Sequence, residues 1–182
     1  SEVLILLNSD TFVSPGSLRK LINAIKNNPD WGAVGPMTNA VGNEQLLLCN
    51  TNDKNEIFKE SEKWLKASVD SKIATNQLSF FCVAFSRNTL NEVGYLDESF
   101  GLGYYEDVDF CIRIRNLQRK IYLLEDVFVY HRGSSSFSKV PQKTKELMKA
   151  NRKKLLIKHP DICADDLIHL REANFRVMKH YI

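Results

Sequence analysis

The sequence predicts an α/β layered domain, and three observations carry that prediction. Two apolar runs, Val3–Leu7 and Phe80–Phe85, read as buried strands. Leu18, Leu21, Ile22 and Ile25 recur at i, i+3, i+4 and i+7, which marks one face of an amphipathic helix. Strands and helices then alternate along the chain, an order that favours helices layered on a sheet.

Taken in turn, the first strand ends near Asp10. Ser14-Pro15 predicts a helix start, with Ser14 as N-cap and Pro15 at the first helical position, and Asn27-Asn28-Pro29 ends that helix. Ala33–Pro36 reads as a short strand closing into a loop rich in Asn and Gly, Met37 to Gln45. Residues 50–76 are polar and mixed, with a helix expected around Ile57–Val69. After the second apolar run, Ser86 caps a short helix bearing Leu90 and Val93, and Gly94 stops it. A loop dense in glycine and aromatics, Tyr95–Tyr105, leads into a helix from Glu106 that is apolar on two faces and expected to be well buried. Ile121–Leu124 and Val127–Tyr130 read as separate strands, and His131–Ser136 as a polar loop. Gln142–His159 reads as a helix stopped by Pro160, with a short helical tail beyond.

Composition narrows the class. A chain of 182 residues holds one domain with a real core and a helical appendage. Apolar content of 43% and charged content of 26% are those of an ordinary soluble globular protein, and a net charge of +3 is too small to argue for nucleic acid. No apolar stretch approaches the roughly 20 residues that span a membrane, and the start lacks a signal-peptide layout. Cys49, Cys82, Cys111 and Cys163 are widely spaced with no C-x-x-C pair, so they read as reduced thiols of a cytosolic protein. A strand as apolar as Val3–Leu7 normally has strands on both sides. Standing at the very start, it leads us to expect the second half of a larger catalytic unit whose first half is absent.

Three short polar groups adjoin these apolar elements: Asn8-Ser9-Asp10, Glu106-Asp107 with Asp109, and His131. Ligand and catalytic groups of open α/β sheets gather at the carboxyl ends of strands, so all three can meet at one rim. Each also has a plain reading. Asp10 suits a turn, the three acids suit the first turn of a helix, and His131 suits a hydrogen-bonded surface position.

In order, these groups resemble a known family. The matching text is Leu7-Asn8-Ser9-Asp10-Thr11 followed by Ser14-Pro15-Gly16; Gly32–Pro36 with Thr38-Asn39, Gly42-Asn43 and Gln45; Val93-Gly94, Leu96-Asp97-Glu98 and Phe100; Gly103–Cys111 with Arg113; and Val129-Tyr130-His131 with Gly133-Ser134-Ser135. Over residues 3–138 the chain resembles the C-terminal portion of a glycosyltransferase of family 2, of the rhamnosyltransferase-like kind. The resemblance implies a GT-A-like mixed sheet with flanking helices, its N-terminal nucleotide-binding half missing. It implies residues 1–138 as the metal and acceptor part of that domain and 139–182 as a helical extension.

The resemblance also implies an activity. The family moves a sugar from a nucleotide-diphosphate sugar to an acceptor hydroxyl, usually with inversion. The leaving diphosphate needs charge compensation, commonly from Mn²⁺ or Mg²⁺. Asn8-Ser9-Asp10 stands where the family has its Asp-x-Asp motif, which makes Asn8 and Asp10 donor-binding residues. Asp10 with His131 then becomes a metal pair, whose mixed oxygen and nitrogen donors suit Mn²⁺ at least as well as Mg²⁺. In the family's Glu-Asp motif, Asp107 is the expected base, kept ionised by the helix N-terminus, with Glu106 orienting acceptor or base; the two roles are exchangeable. Gly103, Tyr104 and Tyr105 suit an acceptor platform, and Asn39, Asn43 and Gln45 suit hydrogen bonds to a sugar. As a fragment, the chain is expected to show little activity alone.

Residues 139–158 carry eight Lys and Arg against one acid, Glu146. Such a helix suits an anionic membrane or partner, or a solvated face packed on the domain. Since the family's acceptors are often lipid-linked, the expected location is cytoplasmic, peripheral at the inner membrane face. Two other readings stand beside the transferase. One is a non-catalytic carbohydrate-binding or scaffold module of the same fold, and the other is a metal-dependent hydrolase using Asp10, Asp107 and His131.

Overall fold

The computed structural model describes residues 2–133 and 141–162. Six strands form one mixed sheet: β1 (Val3–Leu7), β2 (Thr11–Val13), β3 (Trp31–Met37), β4 (Lys72–Ala74), β5 (Cys82–Ser86) and β6 (Lys120–His131). Five α-helices flank it: α1 (Ser17–Asn27), α2 (Lys54–Ala67), α3 (Arg87–Val93), α4 (Glu106–Asn116) and α5 (Pro141–Lys158). The order across the sheet is β1-β5-β3-β6-β2, with β4 also on β6. Only β3 and β6 run parallel.

The sheet is covered on both faces, which explains why β1 is apolar at every position. Val3 and Ile5 pack with Leu21 and Ile25 of α1, whereas Leu4 and Leu6 pack with Phe110, Cys111 and Ile114 of α4. Strands on both sides of β1 were expected. Among the described residues β1 instead lies at the edge, bonded to β5. Two strands were expected across 121–130, yet β6 is continuous. Its acidic pair is absorbed where the register to β3 jumps from Pro36↔Leu124 to Met37↔Phe128. There the Asp126 carboxylate accepts from Lys20 Nζ at 2.7 Å, tying β6 to α1.

Helix starts follow local chemistry. Asp53 caps α2 by accepting from the N–H groups of Asn55 and Glu56, which places its start three residues before the expected one. Ser86 caps α3 through Thr89 N–H, and Gly94 follows it with φ 82°, as expected. The expected start at Ser14-Pro15 is corrected. Those residues form a turn, Gly16 takes φ 85°, and the helix begins only at Ser17.

Two glycines let layers touch. A Cβ on Gly32 of β3 would meet Ile114 Cγ2 of α4 at 2.2 Å, and one on Gly35 would meet Gln45 and Leu78 at 2.9 Å. The two apolar faces of α4 have separate uses. Phe110, Cys111 and Ile114 press on the sheet, while Ile112 packs with Phe100 and with Leu155 of α5. Helix α5 is therefore fastened to the body of the domain. Cys82 and Cys111 are free and buried, and burial pushes both thiols up to about 12. The tail after Ile162, with Cys163, lies outside the described residues, as do Ser134, Ser135 and Lys139.

Candidate active site

The short strand β2 assembles one end of the site. Its antiparallel register sets Thr11 opposite His131, and Arg132 N–H donates to the Asp10 carbonyl at 3.0 Å. Asp10 and His131, 121 positions apart in sequence, thereby become neighbours, with His131 Nε2 3.3 Å from Asp10 Oδ1. The ring is held from three sides. His131 Nδ1 lies 2.9 Å from the Ala40 carbonyl, Phe81 stacks on it at 5.3 Å, and both ends of the Asn39 amide bond the His131 backbone.

Both ring nitrogens thus face acceptors, the Ala40 carbonyl at Nδ1 and the Asp10 carboxylate at Nε2. A bond from Nδ1–H to a backbone carbonyl is the usual orienting contact of a metal-binding histidine. Among the described residues no group of three or more His, Cys, Asp or Glu side chains gathers for a metal.

Asn8 follows β1 at the same rim. Its N–H donates to the Phe81 carbonyl at 2.9 Å, and its side chain is exposed. Phe80 and Phe81 then link this end to the other, because the Phe80 backbone also acts on the Asp107 carboxyl and draws it down. Asp107 Oδ1 also accepts from Val108 N–H at 2.8 Å. Asp107 was expected to stay ionised at the helix N-terminus. Burial, and then the charge of Glu106, outweigh those backbone bonds and push its carboxyl up to about 7. Glu106 Oε2 is buried without a hydrogen-bond partner among the described residues. The two carboxyls thus hold each other in check at one helix start.

Before them the backbone turns sharply. Tyr104 and Tyr105 take φ 68° and 77°, and Tyr104 is partly buried, so its phenol is raised by burial and by Glu106. Behind them Asp109 is fully buried and meets two cations and an imidazole. Arg113 Nε lies 2.9 Å, Lys158 Nζ 2.8 Å and His159 Nε2 2.7 Å from its oxygens. Burial alone would raise its carboxyl, but Lys158, His159 and Arg113 together hold it below the usual range.

Three expected acceptor contacts are corrected. Gln45 is 0% exposed, donates to the Pro36 carbonyl at 3.0 Å and accepts from Ser79 N–H at 2.7 Å. Asn43 is 2% exposed and bonds Gln45 and Ser79. Asn39 is spent on His131. These amides bond loop to sheet, and Asn43 and Gln45 are buried away from the surface where a sugar would lie. Reasoning from sequence also missed Phe81, Ala40 and Asp109 as supports. Asp109 alone left a signal, as the third acid of a first turn followed four residues later by Arg113.

The mixed sheet with flanking helices is similar to the GT-A glycosyltransferase fold. Among solved structures, the crystal structure of GalNAc-T7 with UDP, GalNAc and Mn²⁺ superposes with a TM-score of 0.52 and 15% sequence identity, covering 71% of this chain and 27% of that one. The chain thus spans about a quarter of that protein, and the likeness carries the fold. No family model and no curated protein matches the chain.

Proposed function

We propose that the protein is an inverting glycosyltransferase, of the rhamnosyltransferase-like family 2 kind, that moves a sugar from a nucleotide-diphosphate sugar to an acceptor hydroxyl. One observation carries the reading: Phe80 and Phe81 join the Asp10–His131 pair to the Asp107 carboxyl on a single rim of a GT-A-like sheet. Asp10 and His131 would hold Mn²⁺ or Mg²⁺, which supplies positive charge for the leaving diphosphate. Asn8, exposed beside them, faces the donor. Asp107 takes the proton of the acceptor hydroxyl as that oxygen bonds the anomeric carbon. The bond from that carbon to the diphosphate breaks on the opposite side, and the diphosphate leaves with the electron pair. A carboxyl near 7 is half charged at neutral pH, which suits a base. Gly103, Tyr104 and Tyr105 border the acceptor side, where a saccharide or lipid-linked acceptor would lie.

The same reading places the protein in the cytoplasm at the inner membrane face. Lys143, Lys145, Lys149, Arg152 and Lys153 of α5 are exposed and supply the cationic surface for anionic lipid. No described helix is long and apolar enough to cross a membrane. Co-sedimentation with anionic liposomes at low salt tests this placement, and an empty pellet removes it.

The activity is tested by incubating the chain, alone and with a GT-A nucleotide-binding half supplied, with a panel of nucleotide-diphosphate sugars and saccharide acceptors, with and without Mn²⁺; the chain alone is expected to show little turnover. Nucleoside diphosphate release is expected to need both acceptor and metal, and to be lost in Asp107→Asn. Free sugar without acceptor would make the protein a hydrolase, and an unchanged rate in Asp107→Asn would make it a binding scaffold.

A further inference from the structure

Helix α5 takes no part in the proposed chemistry, yet its side chains converge on the loop that leads into α4. That loop is strained. Tyr104 and Tyr105 are consecutive left-handed residues with side chains, φ 68° and 77°. Such a conformation is disfavoured for any residue with a Cβ and persists only where its surroundings over-determine it. Here one side chain does most of that. Asn151 is 2% exposed, and its Nδ2 donates toward the carbonyls of Phe100 at 2.7 Å, Gly103 at 2.8 Å and Tyr104 at 3.1 Å. Three carbonyl dipoles thus converge on the two amide hydrogens of one buried side chain.

The rest of α5 fastens the loop's near end and the helix beyond it. Lys154 Nζ donates to the Ser99 carbonyl, Lys158 Nζ reaches Asp97 at 2.6 Å and Asp109 at 2.8 Å, and Leu155 packs on Phe100 and Ile112. The stretch from Asp97 to Tyr104 is therefore tied to α5, as is Asp109. Glu106 and Asp107 lie between these ties.

We propose that Asn151 is a positioning residue: it holds the Gly101–Tyr105 loop in its strained form and so sets how Glu106 and Asp107 face the rim. The catalytic consequence rests on the transferase reading, whereas the clamp does not. Asn151→Leu keeps the size of the side chain and removes its donors. Hydrogen exchange on the full chain is expected to speed up about tenfold or more over residues 100–109, while α1 and β3 keep their protection. Unchanged exchange in the loop would overturn the clamp, and so would equal acceleration in α1 and β3, which would mark a general loss of stability. Asn151→Ser keeps one donor and is expected to fall between, and it replaces the leucine variant if that folds poorly. With whichever nucleotide sugar the wild-type chain turns over, kcat of Asn151→Leu is expected to fall between about tenfold and a hundredfold at constant donor KM. A raised donor KM at constant kcat would overturn the positioning role. If no donor is turned over even with a nucleotide-binding half supplied, the transferase reading falls, and the exchange data still decide the clamp.

Discussion

The two ends of the candidate site are built to opposite plans. At the metal end, Asp10 and His131 stand 3.3 Å apart and keep 28% and 15% of their side-chain surface exposed. At the base end, Asp109 is fully buried within reach of Arg113, Lys158 and His159, and the loop before it is pinned by Asn151. One end is a lone pair of side chains open to solvent, and the other rests on a buried carboxylate already matched by cationic partners. The difference teaches where each kind of precision comes from. A cation can draw two ligands into place by its own charge, but a base must already point at its proton, because misplacement is costly in rate.

The sharpest way to break this comparison is Asp107→Asn. Turnover is expected to fall by about 10²–10⁴, measured as nucleoside diphosphate release. Stability should move the other way. The Asp107 carboxyl rises from an ordinary 3.8 to about 7 on folding, so its contribution is present at low pH and is lost as pH rises through about 7. The asparagine variant lacks that loss. Its melting temperature is expected to exceed wild type by about 5 °C at pH 8 and by nothing measurable at pH 4.

Next in size is Asp109→Asn, which removes a fully buried carboxylate from Arg113 and Lys158 and is expected to lower unfolding free energy in urea by about 3 kcal/mol. The Asp109 carboxyl is held low in the fold, so the stability it brings is present above the ordinary carboxylate range and fades as pH falls through its lowered value. The variant's acid unfolding curve should be correspondingly flatter. At the metal end the effects should be on binding. Asn39→Ala removes both amide bonds to the His131 backbone, and Mn²⁺ affinity in the presence of a nucleoside diphosphate is expected to drop about 10–100-fold by titration calorimetry. Equal losses of folding stability from Asn39→Ala and Asp109→Asn would erase the distinction between the ends. Smallest of all is Glu92→Ala. It opens the pair with Arg119, where Glu92 is 47% exposed, and should leave the urea midpoint close to that of wild type.

Much of the frame could be read from the chain because its signals are local and repeated. The stripe from Leu18 to Ile25, the Ser86 cap and the Val3–Leu7 run each state their structure within a few residues. The two three-residue strands, β2 and β4, were missed because nothing so short carries a period. That omission mattered, since β2 is what makes Asp10 and His131 adjacent. Asn43 and Gln45 were misplaced for another reason: an amide that bridges buried backbone is written with the same letters as one that binds sugar. Asn151 stands in a lysine-rich helix, and only the folded loop reveals what it bonds. The ionisation of Asp107 likewise depends on burial, and a helix start read alone gives the wrong sign.

The near-contact of Gly32 with Ile114 has a genetic consequence. A random-substitution scan would score Gly32 as indispensable and draw a false hot spot far from any chemistry, because even a methyl group there would lie 2.2 Å from Ile114 Cγ2. Alanine at 32 becomes admissible only after Ile114 shrinks, as in Ile114→Ala. In a lineage that drifts, the two positions should therefore change in step, the smaller residue passing from strand to helix.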